Sequence, residues 1–246
     1  MLPVLEGIIA RRILLNFHAD PEVTQSLVPS PLKVQMLHGH AVVGVCLIRL
    51  EKLRPRGVPE VMGLTSENMA HRVAVLHPVE DRWEPGVFIW RRDTDQKLVQ
   101  WLGGRLFPGV HHGANFHVQE APDSIGMYVR TEDGRATLAF ASHNTPSLMG
   151  RSMFHDMADA AEFFRKGDCG YSCSMRGDQL EGMQLKTLRW EMSPLDVELK
   201  YSAFFSDESK FPAGSIEFDS GLIMRGIPHE WHELDDVPEM AGAYAS

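Results

Sequence analysis

The sequence predicts a mainly β protein of the α+β kind, built as a closed or nearly closed antiparallel barrel with a few peripheral helices. Three observations predict it. Runs rich in β-branched and apolar residues recur at short spacing along most of the 246 residues. Turn chemistry separates them, most clearly at Asp133-Gly134, a strong hairpin signal. Only three stretches read as helices, so the regular alternation of strand and helix that makes a parallel sheet is not the pattern.

Taken in order, Arg11 to Phe17 is the first strand candidate. Asp20-Pro21 follows as a cap with proline at the first helical position, opening a short helix that must stop before Pro29. Ala41 to Leu53 is nearly continuous in apolar and β-branched residues, the pattern of a long, mostly buried strand. His71 to His77, Val87 to Arg91 and Asn115 to Gln119 are further strands. Asp93 is a candidate cap for a helix from Thr94 to Leu102, with Leu98, Trp101 and Leu102 on its apolar face and Gly103 closing it. Around the Asp133-Gly134 turn, Ile125, Met127 and Val129 alternate on one side and Ala136, Leu138 and Phe140 on the other. Asp156 to Arg165 is the third helix, offering Ala160, Ala161, Phe163 and Phe164 for packing. Gln184 to Met192, Val197 to Phe204 and Ile216 to Met224 complete the strands. No repeat or low-complexity linker divides the chain, so one domain over residues 1–246 is expected.

Composition bounds the function. Apolar residues at 43% and charged residues at 23% are ordinary for a folded chain. A net charge of −9 argues against nonspecific binding to nucleic acid or to an anionic membrane surface. No window approaches ~18 uninterrupted apolar residues, so no membrane span is expected. The amino terminus lacks a secretory leader pattern, which makes a cytoplasmic location the expectation. Cys46, Cys169 and Cys173 are odd in number and fit neither a disulfide framework nor a zinc ribbon. Arginine outnumbers lysine by 17 to 7, and arginine suits fixed, bidentate recognition of carboxylate or phosphate.

Several segments resemble a known superfamily: Phe17 to Val23 running on to Leu27 to Leu32, then Thr65-Ser66-Glu67-Asn68, then Asp93 through Phe107-Pro108. They resemble the acetoacetate decarboxylase-like superfamily, in which an aromatic-Pro-Lys-Lys turn supplies a Schiff-base lysine. Gly109 and Val110 stand here where the two lysines would be, and an iminium electron sink needs an amine at that point. Ser66 to Arg72, Arg91 to Thr94, Gly104 to His112 and Ile227 to His232 further resemble the YqjF-like family of bacterial proteins within that superfamily. The resemblance implies a β-barrel around a central cavity, a small-molecule ligand, an oligomer, and no Schiff-base decarboxylation.

Glu67 matches the glutamate that lines the cavity in the decarboxylase, and a carboxylate in an apolar cavity is suited to acid–base work. The alternative is that it anchors Arg72 or another arginine in a structural ion pair. Arg91 and Arg92 are adjacent on a strand, so only one of them can face the cavity and hold an anion. Arg105 offers the same from the Gly103-Gly104 loop, and structural ion pairing is the alternative for all three. Gly109 and Val110 occupy the former catalytic turn, where glycine leaves room for a ligand or a close backbone approach. His111 and His112 likewise diverge, leaving one to face the cavity as a catalytic or ligand-binding group. His229-Glu230-Trp231-His232 lacks the four-residue histidine spacing of a helical zinc motif, so neither a metal nor another cofactor is expected. Two functional classes follow: an enzyme acting on a small carboxylate or keto compound by acid–base chemistry, or a noncatalytic binder of a hydrophobic or anionic metabolite.

Overall fold

Strand formation follows the buried, β-branched runs. The computed structural model describes residues 3–102, 108–148, 150, 152–235 and 237–238. In chain order the first elements are β1 (Leu5–Ala19), α1 (Pro21–Ser26), β2 (Lys33–Val34), β3 (Met36–Leu37), β4 (His40–Pro55), β5 (Leu64–Val79) and β6 (Arg82–Thr94). There follow α2 (Lys97–Leu102), β7 (His111–Ala121), β8 (Ser124–Thr131), β9 (Leu138–Asn144) and α3 (Met157–Lys166). The chain continues with β10 (Cys169–Cys173), β11 (Gln179–Thr187), β12 (Ser193–Ser202), β13 (Ile216–Glu233) and β14 (Val237–Pro238). None of the helices is long and apolar enough to cross a membrane among the described residues.

The strands pair in the order β14-β11-β10-β6-β7-β8-β9-β12-β13-β1-β4-β5-β2, with β5–β6 and β11–β13 as additional pairings. These two extra ladders make the pairing cyclic. The strands β13-β1-β4-β5-β6 are shared by two rings, one returning through β7-β8-β9-β12 and the other through β10-β11. Most ladders are antiparallel, as the hairpin signals predict, but β6–β7 and β6–β10 are parallel. The chain leaves β6 through α2 before entering β7, and a parallel pair needs such a crossover.

The register makes the two faces of the shared strands distinct. Ile13 lies opposite Leu47 and Ile223, and Leu47 opposite Met69. Their side chains join Leu15, Val45 and Phe88 in the main core, and burying an aliphatic side chain of this size contributes about 1.5–3 kcal/mol. One residue along, Leu14 lies opposite Cys46 and Cys46 opposite Ala70, on the other face. There Leu14 and Cys46 belong to a second cluster with Phe154, Ala160 and Phe164 of the α3 region.

The helices show where local signals suffice. Asp20 accepts hydrogen bonds from the amides of Glu22 and Val23, as its cap position predicts, and Asp156, expected inside the third helix, instead caps it by accepting from the amide of Asp159. Asp93 does not cap a helix from Thr94. It lies inside β6, its carboxylate bound by Arg91, and α2 begins only at Lys97. Leu98, expected on the apolar face, is exposed, whereas Val99 is buried. The strand expected over Gln184 to Met192 runs instead from Gln179 to Thr187, because it pairs with Cys169–Cys173, a short strand with no sequence signal of its own.

Candidate functional site

A pocket of ≈160 Å³ opens on the second face of the shared strands, between them and the β10–β11 pair. Its wall is mainly apolar, with Ile48, Val87, Ile89 and Met183 among the lining side chains, and three arginines enter it: Arg12 from β1, Arg72 from β5 and Arg92 from β6. In the register Arg12 pairs with Ile48, Arg72 with Gly44 and Arg92 with Ala70, which sets all three guanidinium groups on one side of the sheet.

The side-chain hydrogen bonds of all three go to neutral groups, although the Glu181 carboxylate is near enough to Arg92 to favour its charge. Arg12 Nε donates to the Cys46 thiol at 3.3 Å, and its Nη1 is buried without an acceptor. Arg72 is 3% exposed; one Nη donates to the Asn16 side-chain oxygen at 2.8 Å, while Nε has no acceptor. Its guanidinium also lies 4.9 Å from the Phe164 ring centre. Arg92 Nε donates to the Ser172 hydroxyl at 3.1 Å. Burial lowers Arg72 and Arg92 to about 10, so both keep their charge at neutral pH. Two carboxylates reach the same wall, Asp93 and Asp168. Asp93 is bound by Arg91 at 2.7 Å, and Asp168 accepts from the Gln184 amide at 3.0 Å. The three pocket arginines therefore stand without an ion-pair partner among the described residues, the arrangement that suits an anionic ligand.

Adjacent residues diverge as strand geometry requires. Arg91 turns away from Arg92 and forks between Asp93 and Asp133, holding the Asp133 carboxyl well below its usual range. Burial pushes Asp93 up to about 6 even with Arg91 against it. His111 lines the pocket; burial, and then the Arg92 charge, lower it to about 3, so its ring is neutral at pH 7. His112 points away from the pocket lining, toward Arg91 and Asp133, and burial also lowers it.

Glu67 does not line the pocket. Ser66 and Asn68 do, and the alternation of β5 sends Glu67 to the opposite face. There it is 6% exposed and held by Arg11 at 2.7 Å and Arg49 at 3.1 Å, while Arg11 also binds Glu120. The ion-pair alternative for Glu67 therefore describes its surroundings, with Arg11 and Arg49 as the partners in place of Arg72. Gly109 and Val110 also lie off the pocket lining, although Pro108 is part of it. Gly109 has φ +75° and its amide donates to Glu181 at 2.7 Å. A Cβ there would come within 2.6 Å of the Ser172 Cβ, so glycine serves a close approach between chain segments. Val110 is exposed. Arg105 lies outside the described residues, as do Gly103 and Phe107.

Reasoning from the sequence missed Arg12, Arg72 and Cys46. A signal was present for the arginines: each is a charged residue inside a strand run otherwise read as buried, a placement that needs a partner. His229 and His232 occupy β13, where His232 binds Glu230 at 2.8 Å and His229 packs 4.8 Å from the Trp231 ring. No group of three or more His, Cys, Asp or Glu side chains capable of holding a metal occurs among the described residues.

The fold is similar to that of several solved enzymes. An acetoacetate decarboxylase from Legionella pneumophila aligns over 95% of this chain and 88% of its own, with a TM-score of 0.59 and 14% identity. An acetoacetate decarboxylase-like enzyme from Sphingomonas wittichii RW1 aligns over 97% and 93%, with a TM-score of 0.59 and 12% identity. The enduracididine biosynthesis enzyme MppR, complexed with pyruvate, aligns over 96% and 90%, with a TM-score of 0.57 and 10% identity. At these identities the likeness is one of fold. No curated protein matches the chain. A family profile described as an uncharacterized conserved protein, DUF2071, matches residues 9–148, and the chain belongs to that family.

Proposed function

We propose that this protein binds a small organic anion, a short carboxylate or keto acid with an apolar body, in the pocket between the shared strands and β10–β11. One observation carries the proposal: Arg12, Arg72 and Arg92 converge on an apolar wall, none closes an ion pair with a carboxylate among the described residues, and Arg12 Nη1 and Arg72 Nε are buried without an acceptor. Buried guanidinium groups are costly unless a counter-charge meets them, and a ligand carboxylate supplies that charge. The volume favours a compact molecule, since an apolar cavity of about 150 Å³ accommodates benzene. The pyruvate held by the similarly folded MppR belongs to the same chemical class. Within this reading the cyclic strand pairings form a barrel of one domain, and the chain falls in the YqjF-like branch of the superfamily.

Arg92 takes the anion-holding role, while Arg91 and His112 lie off the pocket lining and do not touch the ligand. His111 contributes a neutral hydrogen-bonding ring. An enzymatic reading has its own support in Asp93, whose carboxyl, raised to about 6 at the pocket wall, lies close to the value that suits acid–base transfer at neutral pH. Such an enzyme would act on a carboxylate or keto compound without a Schiff-base lysine. Glu67, tied to two arginines, contributes to it only through the shape of β5.

Isothermal titration of pyruvate and of C2–C6 carboxylates, each beside its amide, tests the proposal. A carboxylate should bind and its amide should not, and Arg92→Met should abolish the difference. Equal binding of acid and amide, or an unchanged affinity in Arg92→Met, would refute it.

A further inference from the structure

Cys46 sits midway along β4, opposite Leu14 and Ala70, on the face that carries the three pocket arginines. A cysteine in such a strand is ordinarily a small packed hydrophobe. Here the thiol lines the pocket, is 8% exposed, and accepts a hydrogen bond from Arg12. A second observation points to a ligand at the same place. Arg72, 3% exposed, lines the pocket with its Nε lacking any acceptor. A carboxylate bound to these arginines would lie in the pocket that Cys46 also lines, and no lysine lines that pocket among the described residues.

We propose that Cys46 is a nucleophile that adds to the electrophilic carbon next to the carboxylate of the bound ligand, a 2-oxo acid being the class that fits. This rests on the anion-binding reading above. In the step, the sulfur forms a bond to the carbonyl carbon, and the C=O π bond breaks with its electron pair passing to oxygen. The thiol proton ends on that oxygen, giving a hemithioketal, and the reverse steps release the ligand. No oxidant or further reactant is consumed. The negative charge that develops on oxygen needs a donor, and Arg72 Nε is a buried donor without an acceptor.

The chain holds its own comparison. Cys169 lies beside Asp168, and burial with that carboxylate pushes its thiol up to about 12, which leaves it inert at neutral pH. Cys173 is half-buried and is not part of the pocket lining.

Alkylation with iodoacetate and with iodoacetamide, mapped by peptide mass spectrometry, tests the proposal. The two reagents carry the same leaving group and differ in charge. The arginines should draw the anion, so Cys46 should react about tenfold faster with iodoacetate, reversing the preference for the uncharged reagent expected of an exposed thiol. Excess pyruvate should protect it, and Arg92→Met should remove the preference, as should Arg72→Met if that variant folds. With [2-13C]pyruvate, a tetrahedral carbon signal should appear in the wild type and vanish in Cys46→Ser. If Cys46 resists both reagents while pyruvate still binds by calorimetry, the nucleophile is overturned and the binding function stands. If Cys46 takes both reagents equally and pyruvate does not protect it, the anion site itself fails and the proposal fails with it.

Discussion

The two faces of the shared strands use the same residue type to opposite ends. On the core face, Arg11 and Arg49 close on Glu67, and Arg11 with Arg225 closes on Glu120. On the pocket face, one residue along β1, Arg12 has a thiol and a neighbouring aromatic ring, and Arg72 has an amide oxygen. The contrast recurs on β6, where Arg91 forks between two aspartates and Arg92 meets a serine hydroxyl. A guanidinium with its carboxylate beside it is a structural tie. One without an ion pair is, in the proposed function, the group that meets an anion. Strand alternation makes both from consecutive arginines.

The sharpest way to break the comparison is to remove the carboxylate from the tied face. Glu67→Ala leaves Arg11 buried with only its partly exposed Glu120 partner, and should cost about 3–5 kcal/mol in urea unfolding. Carboxylate affinity should hardly change. A large loss of affinity with little loss of stability would return Glu67 to the functional site. On the pocket face the effects should be reversed. Arg92→Met should weaken carboxylate binding by about 10- to 100-fold, the scale of a charged hydrogen bond of roughly 1.5–3 kcal/mol, with stability held or raised. If unfolding shows Arg92→Met to be strongly destabilised, the two faces do not differ as described.

A pH series sharpens the contrast further, because histidines report the charge around them. His229, lowered from 6.5 to about 4 by burial and then by Arg12, and His111, lowered to about 3, bind protons more readily once unfolded. Their contribution is present above pH 6.5 and is lost as pH falls toward 4 and 3, at about 1.4 kcal/mol per unit for each. Buried His71, also lowered to about 3, acts in the same sense. Asp93 opposes them: raised from 3.8 to about 6, it contributes stability at low pH that is lost as pH rises through 6. His77 and His112, also lowered, join the histidines, and Asp95, also raised, joins Asp93. Five groups against two should lower the urea midpoint between pH 7 and pH 5. His229→Gln should flatten that slope by about one proton, and an unchanged slope would show that His229 is not held neutral. The smallest effect belongs to Arg49→Met. Arg49 is 40% exposed and Arg11 remains on Glu67, so the loss should stay below about 1 kcal/mol. A larger loss would mean that Glu67 depends on Arg49 more than on Arg11.

The sequence by itself determined the strand-rich class, the capped helix after Asp20, the helix after Asp156, the hairpin at Asp133-Gly134 and the divergence of Arg91 from Arg92. All of these rest on local rules: a cap is a contact two or three residues away, and alternation is a period of two. Only the tertiary structure decided the face on which each alternating set lies. Glu67 follows the same rule as Ser66 and Asn68, but the register of β5 against β4 and β1 sets it among Arg49 and Arg11 and away from the pocket. The parallel β6–β10 pair was equally invisible, because its partners stand more than 80 residues apart in the chain. The pocket arginines became legible as a group only when three separate strands were laid side by side. Spacing along the chain records which residues share a face of one strand, whereas long-range pairing decides which charges meet and which stand apart.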